Sequence, residues 1–107
     1  MDDTTFRTQA EAAMNELFER LATASDRYAF EPDWAGGALT VEFDAPPGKF
    51  VVSPNAPVHQ IWVSANVQSY KFEWNAASSA FQLPSGQTLP EMMAEAIGKH
   101  LGRPVKL

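Results

Sequence analysis

Gln60-Ile61-Trp62-Val63-Ser64 is the most informative run of residues in this chain. Two β-branched residues around an indole, with Pro57 just upstream to close a loop, read as a strand. Alternation sends Ile61 and Val63 to one face and Gln60, Trp62 and Ser64 to the other. With the branched pair in the core, Trp62 stands on the opposite face between polar neighbours. A large aromatic so placed waits for a partner. The strand therefore centres a binding surface, not an active site.

Strands flank it on both sides. Downstream, Ser69 to Trp74 puts Phe72 and Trp74 on one face and Lys71 and Glu73 on the other. Asn75 to Ser79 is a polar turn, and Ala80 to Leu83 a short last strand ended by Pro84-Ser85-Gly86. Upstream, Lys49 to Ser53 is a strand, with Pro54 to His59 as a loop after it and Ala45-Pro46-Pro47-Gly48 as a turn before it. Ala38 to Phe43 alternates with Leu39, Val41 and Phe43 inward and Thr40, Glu42 and Asp44 outward. The short connections make neighbours antiparallel. Gly36-Gly37 punctuates the entry to the sheet, and Ser25 to Ala35, broken by Pro32, reads as a connection.

Helices close both ends. From Thr4 to about Ala24, Phe6, Ala10, Ala13, Leu17 and Leu21 recur at steps of three and four, widened by Met14 and Phe18. Thr4 or Thr5 caps this helix, with Asp2 and Asp3 at the positive end of its dipole. Thr88 caps the second, with Pro90 in its first turn and Glu91 completing a capping box. Its apolar face is Leu89, Met92, Met93, Ala96, Ile97 and Leu101; Gly102 stops it, and Pro104 to Leu107 runs back across the helices. The expected fold is α+β, a two-layer sandwich with two helices on one face of an antiparallel sheet of about five to six strands. Leu17, Leu21, Val41, Ile61, Phe72, Trp74 and Ile97 are the expected core.

At 107 residues the chain makes one domain. No cysteine is present, which excludes disulfides, thiolate metal sites and thiol catalysis. No apolar run approaches the length of a bilayer span, and Met1-Asp2-Asp3 is unlike a targeting segment, so the cytoplasm is the expected location. Residues 1–48 carry ten acids against three bases, and residues 49–107 three acids against five bases. That asymmetry suits cations or a basic protein surface and not nucleic acid. His59 and His100 lack a spaced metal-ligand partner, and the helix dipole alone accounts for His100. No serine lies in a nucleophile elbow and no glycine-rich loop opens a helix, so catalysis is not expected. The carboxylates Glu16, Glu19, Asp26, Glu31, Asp33, Glu42 and Asp44 fit one edge of the sandwich, where oxygen ligands would hold a hard cation loosely. Ordinary solubility charge accounts for the same residues.

The helix–meander–helix order, the Gly36-Gly37-Ala38-Leu39-Thr40-Val41-Glu42-Phe43 strand and above all Pro57-Val58-His59-Gln60-Ile61-Trp62-Val63 resemble the frataxin family in its bacterial CyaY branch. The likeness runs from Phe6 through Glu19-Arg20-Leu21 to the closing helix. It implies an iron-binding, non-catalytic accessory of iron–sulfur cluster assembly, a monomer with iron-dependent oligomers. Weak binding of Fe(II) or Fe(III) is implied along an acidic ridge, matched here by Asp3, Glu11, Glu19, Glu31 and Asp33; Asp26, Glu42 and Asp44 of the same edge complete the candidate ligands. Docking on a cysteine desulfurase and a scaffold protein is implied through the ridge and the exposed sheet face, here Asn55, His59, Gln60, Trp62 and Lys71. The alternative is an interaction module of the same fold that does not handle iron.

Overall fold

The computed structural model describes all 107 residues. In chain order these form α1 (Asp3–Ala24), β1 (Glu31–Ala35), β2 (Ala38–Asp44), β3 (Pro47–Asn55), a single 3-10 turn (Ala56–Val58), β4 (Gln60–Ala65), β5 (Gln68–Asn75), β6 (Ala80–Gln82) and α2 (Leu89–Leu101). The six strands make one antiparallel sheet in sequential order, each paired with the next. One face is apolar. Leu39, Val41, Phe50, Val52, Ile61, Val63 and Phe72 point into it, and Phe6, Met14, Leu17, Leu21, Leu89, Met92, Met93 and Ile97 of the helices close over them in one cluster. Burying apolar area on a single side is what drives such a two-layer packing, so the other face meets solvent.

Six of the seven expected core residues are fully buried, and Trp74 is the exception. β6 is only three residues long, so it leaves Trp74 half-covered, edge-on to Phe81 with ring centroids 5.2 Å apart. Ala13, Phe18 and Leu101 are likewise only partly buried, whereas Met14 is in the core. Thr40, expected outward, is buried beneath its neighbours, and its hydroxyl donates to the Asp33 carbonyl at 3.3 Å.

The stretch read as a connection contains the edge strand β1. An edge strand needs only one ladder, so Pro32 fits there without breaking the sheet. Gly36 and Gly37, both at positive φ (59° and 85°), form the two-residue turn that joins β1 to β2, which only residues free of the Cβ restriction adopt cheaply. β3 continues through Pro54 and Asn55, expected as loop, and β6 stops short of Leu83.

Asp2, not Thr4 or Thr5, caps α1: its Oδ1 accepts from the Thr5 N–H at 2.7 Å. That bond holds the Asp2 carboxyl below its usual 3.8, because the charged form is the better acceptor. The box on α2 is as expected. Thr88 and Glu91 bond each other's backbone N–H, and Gly102 ends the helix in the left-handed conformation. The last residues run back across the helices: the Lys106 N–H donates to the Tyr28 hydroxyl and Arg20 Nη1 to the Leu107 carbonyl.

His100 does more than sit on a dipole. Its Nε2 donates to the Pro46 carbonyl at 2.7 Å, its Nδ1 faces the Asn66 side-chain amide at 3.2 Å, and its ring packs on Phe43 at 4.1 Å. The end of α2 is thereby tied to the β2–β3 and β4–β5 turns.

Candidate binding face and acidic edge

β4 lies inside the sheet, between β3 and β5, so its side chains are positioned by two ladders at once. Ile61 and Val63 are buried, which fixes Trp62 on the helix-free face, where it is 39% exposed. Ser53 and Lys71 lie directly across from it, on β3 and β5. The Lys71 ammonium stands 4.9 Å from the centroid of the indole, a cation–π arrangement. Trp62 Nε1 donates to Gln60 Oε1 at 2.8 Å, and Gln60 Nε2 donates in turn to Glu73 Oε2 at 3.2 Å. The indole is therefore held at its edge and on one ring face, and presented to solvent in one orientation. Asn55 pairs with Gln60 across the β3–β4 ladder and belongs to the same surface.

His59 is set differently. It closes the 3-10 turn in the left-handed conformation (φ 52°), and its ring stacks on Phe6 at 5.2 Å. Its Nε2 meets Asp3 Oδ1 at 2.6 Å. Asp3, expected on the acidic ridge, and His59, expected on the docking face, are thus partners that pin the start of α1 to the entry of β4.

The remaining acids are spread. Glu31 and Glu42 are direct cross-strand neighbours on β1 and β2. With Asp44 they line a shallow cleft of about 410 Å³ beside Ser25, Tyr28, Ala29 and Phe30. Like charges directly opposite on a sheet repel, so this pair is held together by the ladder against its own electrostatics. Asp33 is two positions further along β1 from the pair's rung, opposite Thr40, with Oδ1 accepting from the Trp34 N–H. Glu11 lies on the rim of a separate cleft of about 400 Å³ between α1 and the β1–β2 turn, whose walls include Met14 and Trp34. Glu19 is exposed in the second-to-last turn of α1, and Asp26 follows its last turn. Nowhere do three Asp, Glu or His side chains gather closely enough to cage a metal ion. The oxygen chemistry suits a hard cation; a closed coordination sphere is not built. Glu73 is the participant that sequence reasoning left out of the candidate set. Its signal was register: it lies directly opposite Gln60 once the β4–β5 turn is placed at Asn66-Val67.

No helix is long and apolar enough to cross a membrane. The model of the frataxin-like domain matches residues 1–103. Among named relatives, the iron–sulfur cluster assembly protein CyaY of Janthinobacterium sp. (strain Marseille) is 29% identical over 110 residues, covering all of this chain and 96% of its own. The protein of the same name from Tolumonas auensis is 30% identical over 71 residues, 66% of each chain. That from Thioalkalivibrio sulfidiphilus is 25% identical over the full length of both. Among solved structures, a frataxin from Psychromonas ingrahamii superposes with a TM-score of 0.83 at 21% identity, over 99% of this chain and 97% of its own, and so shares the fold. A domain model spanning almost the whole chain leads to one conclusion: the chain belongs to the frataxin-like family.

Proposed function

We propose that this protein is a non-catalytic, cytoplasmic accessory of iron–sulfur cluster assembly that docks through the helix-free face of its sheet on a cysteine desulfurase–scaffold complex. The observation that carries the reading is Trp62: a large aromatic, exposed on the helix-free face of the sheet and fixed by Gln60 and Lys71. Aromatics held in this way dominate protein interfaces, because they bury much area at little entropic cost. The relatives named above carry iron–sulfur cluster assembly in their names, which supports the choice of partner.

Iron enters the proposal as loosely held cargo. Glu31, Glu42 and Asp44 supply hard oxygen donors on one open cleft, and a cation there relieves the repulsion between the opposed glutamates. Open carboxylates leave most of the ion's shell to water, so affinity is low and several ions bind per chain.

The test is a binding titration of the protein against purified desulfurase–scaffold complex, with and without Fe(II), read by calorimetry, alongside NMR of the protein with iron alone. Saturable docking is expected, with iron broadening first around Glu31, Glu42 and Asp44 and then at Asp33 and Glu19. Absence of docking refutes the function. Docking with no broadening at millimolar iron leaves the interaction module without iron.

A further inference from the structure

We infer that Glu73 is a positioning residue for Trp62, acting through Gln60; this deepens the docking reading above and rests on it. Gln60 and Glu73 face each other across the β4–β5 ladder. An indole N–H only donates and a carboxylate only accepts, so the Gln60 amide between them has one satisfying orientation: Oε1 to Trp62, Nε2 to Glu73. Turned about, its NH2 would meet the indole N–H and its oxygen the carboxylate, and both bonds would be lost.

The carboxylate is free for this task. Glu73 has Gln82 on its other side, but that amide is turned away and donates to the Gly86 carbonyl at 3.2 Å. Glu73 makes no ion pair. Without Glu73, Gln60 loses the anchor that fixes its amide, and the Lys71 ammonium over the ring is the one restraint on Trp62 that does not depend on that amide. An exposed tryptophan freed in this way samples several rotamers, and ordering it again is charged against binding.

The experiment uses Glu73→Ala, Glu73→Gln and Gln60→Ala in the intact protein. The Trp62 indole N–H is followed by NMR, assigned with Trp62→Phe, and affinity for the desulfurase–scaffold complex is measured in parallel. Glu73→Ala should shift the indole resonance, speed its hydrogen exchange severalfold and lower affinity about five- to tenfold. Glu73→Gln keeps an acceptor and should stay near wild type in both. Glu73→Ala placed on Gln60→Ala should add nothing, since the two act as one unit. An unchanged indole signal in Glu73→Ala overturns the inference. So does a loss of affinity in Glu73→Gln equal to that in Glu73→Ala, which would make Glu73 a direct charge contact. If the wild type does not bind the complex, the docking reading fails, and the indole measurements on the free protein still decide whether Glu73 positions Trp62.

Discussion

The Lys71 ammonium and the Trp62 ring meet across one rung of the β4–β5 ladder, 4.9 Å apart, on the face that the helices leave open. An exposed cation–π contact contributes about 0.5–1 kcal/mol. Lys71→Met keeps the aliphatic stem and removes the charge, so it should weaken docking by roughly two- to fivefold while changing stability by less than about 0.5 kcal/mol. Lys71→Arg should retain docking. Calorimetry on the three proteins checks this, and an arginine variant as weak as the methionine one contradicts it.

Leu17 of α1 and Ile97 of α2 are both fully buried over the sheet. Truncating either to alanine should cost about 2–5 kcal/mol through lost burial and the cavity left behind. Urea unfolding followed by circular dichroism measures it. A cost below about 1 kcal/mol at both sites would contradict the helix packing.

Gly48 is a glycine for a steric reason. A Cβ there would lie 2.5 Å from Cε1 of His100, whose ring is pinned by the Pro46 carbonyl and packed on Phe43. Gly48→Ala should destabilise by about 1–3 kcal/mol. Combining it with His100→Ala should cost less than the sum of the two single changes, since the clash goes with the ring. Additive costs would mean that the histidine is not what excludes a side chain.

The start of α2 gives a pH dependence. The Thr88 backbone N–H, and then its hydroxyl, hold Glu91 below the usual 4.5. A carboxylate depressed on folding contributes stability in full above its unfolded value, and that contribution is lost as pH falls through the folded one. Glu91→Gln keeps an acceptor for the cap without titrating. The stability gap between wild type and variant should therefore be constant above about pH 5 and narrow as the pH is lowered below about 4. Thermal melts from pH 7 down to 3 would show it, and a gap that widens in acid would contradict the cap.

Much of the fold was legible because its signals are local. Alternation through Leu39, Val41 and Phe43 and through Ile61 and Val63 placed the sheet's inner face correctly. The Thr88–Glu91 box named its own helix start, since both partners lie within one turn. At α1 four good capping residues stand together, Asp2, Asp3, Thr4 and Thr5, and composition alone did not choose the carboxylate that bonds Thr5. β1 was hidden by Pro32, because a proline argues against a strand everywhere except at an edge, and edges are decided by topology. Trp62 on the candidate face was read from alternation. Glu73 was missed because it needs the register set by the Asn66-Val67 turn, where Asn66, not a glycine, takes the left-handed conformation. The Asp3–His59 bond joins residues 56 positions apart, and no spacing rule reaches that far.

Under the proposed function, Trp62 serves binding and its neighbour Val63 serves folding, one residue apart on the same strand. The direct measurement is a pair of calorimetric titrations against the desulfurase–scaffold complex, on Trp62→Ala and Val63→Ala, each with its unfolding curve. Trp62→Ala should lose about 2 kcal/mol or more of binding and no more than about 1 kcal/mol of stability. Val63→Ala should lose roughly 1–3 kcal/mol of stability, with the folded fraction still binding. Wild-type affinity in a folded Trp62→Ala protein, or unfolding of that variant, would contradict the account.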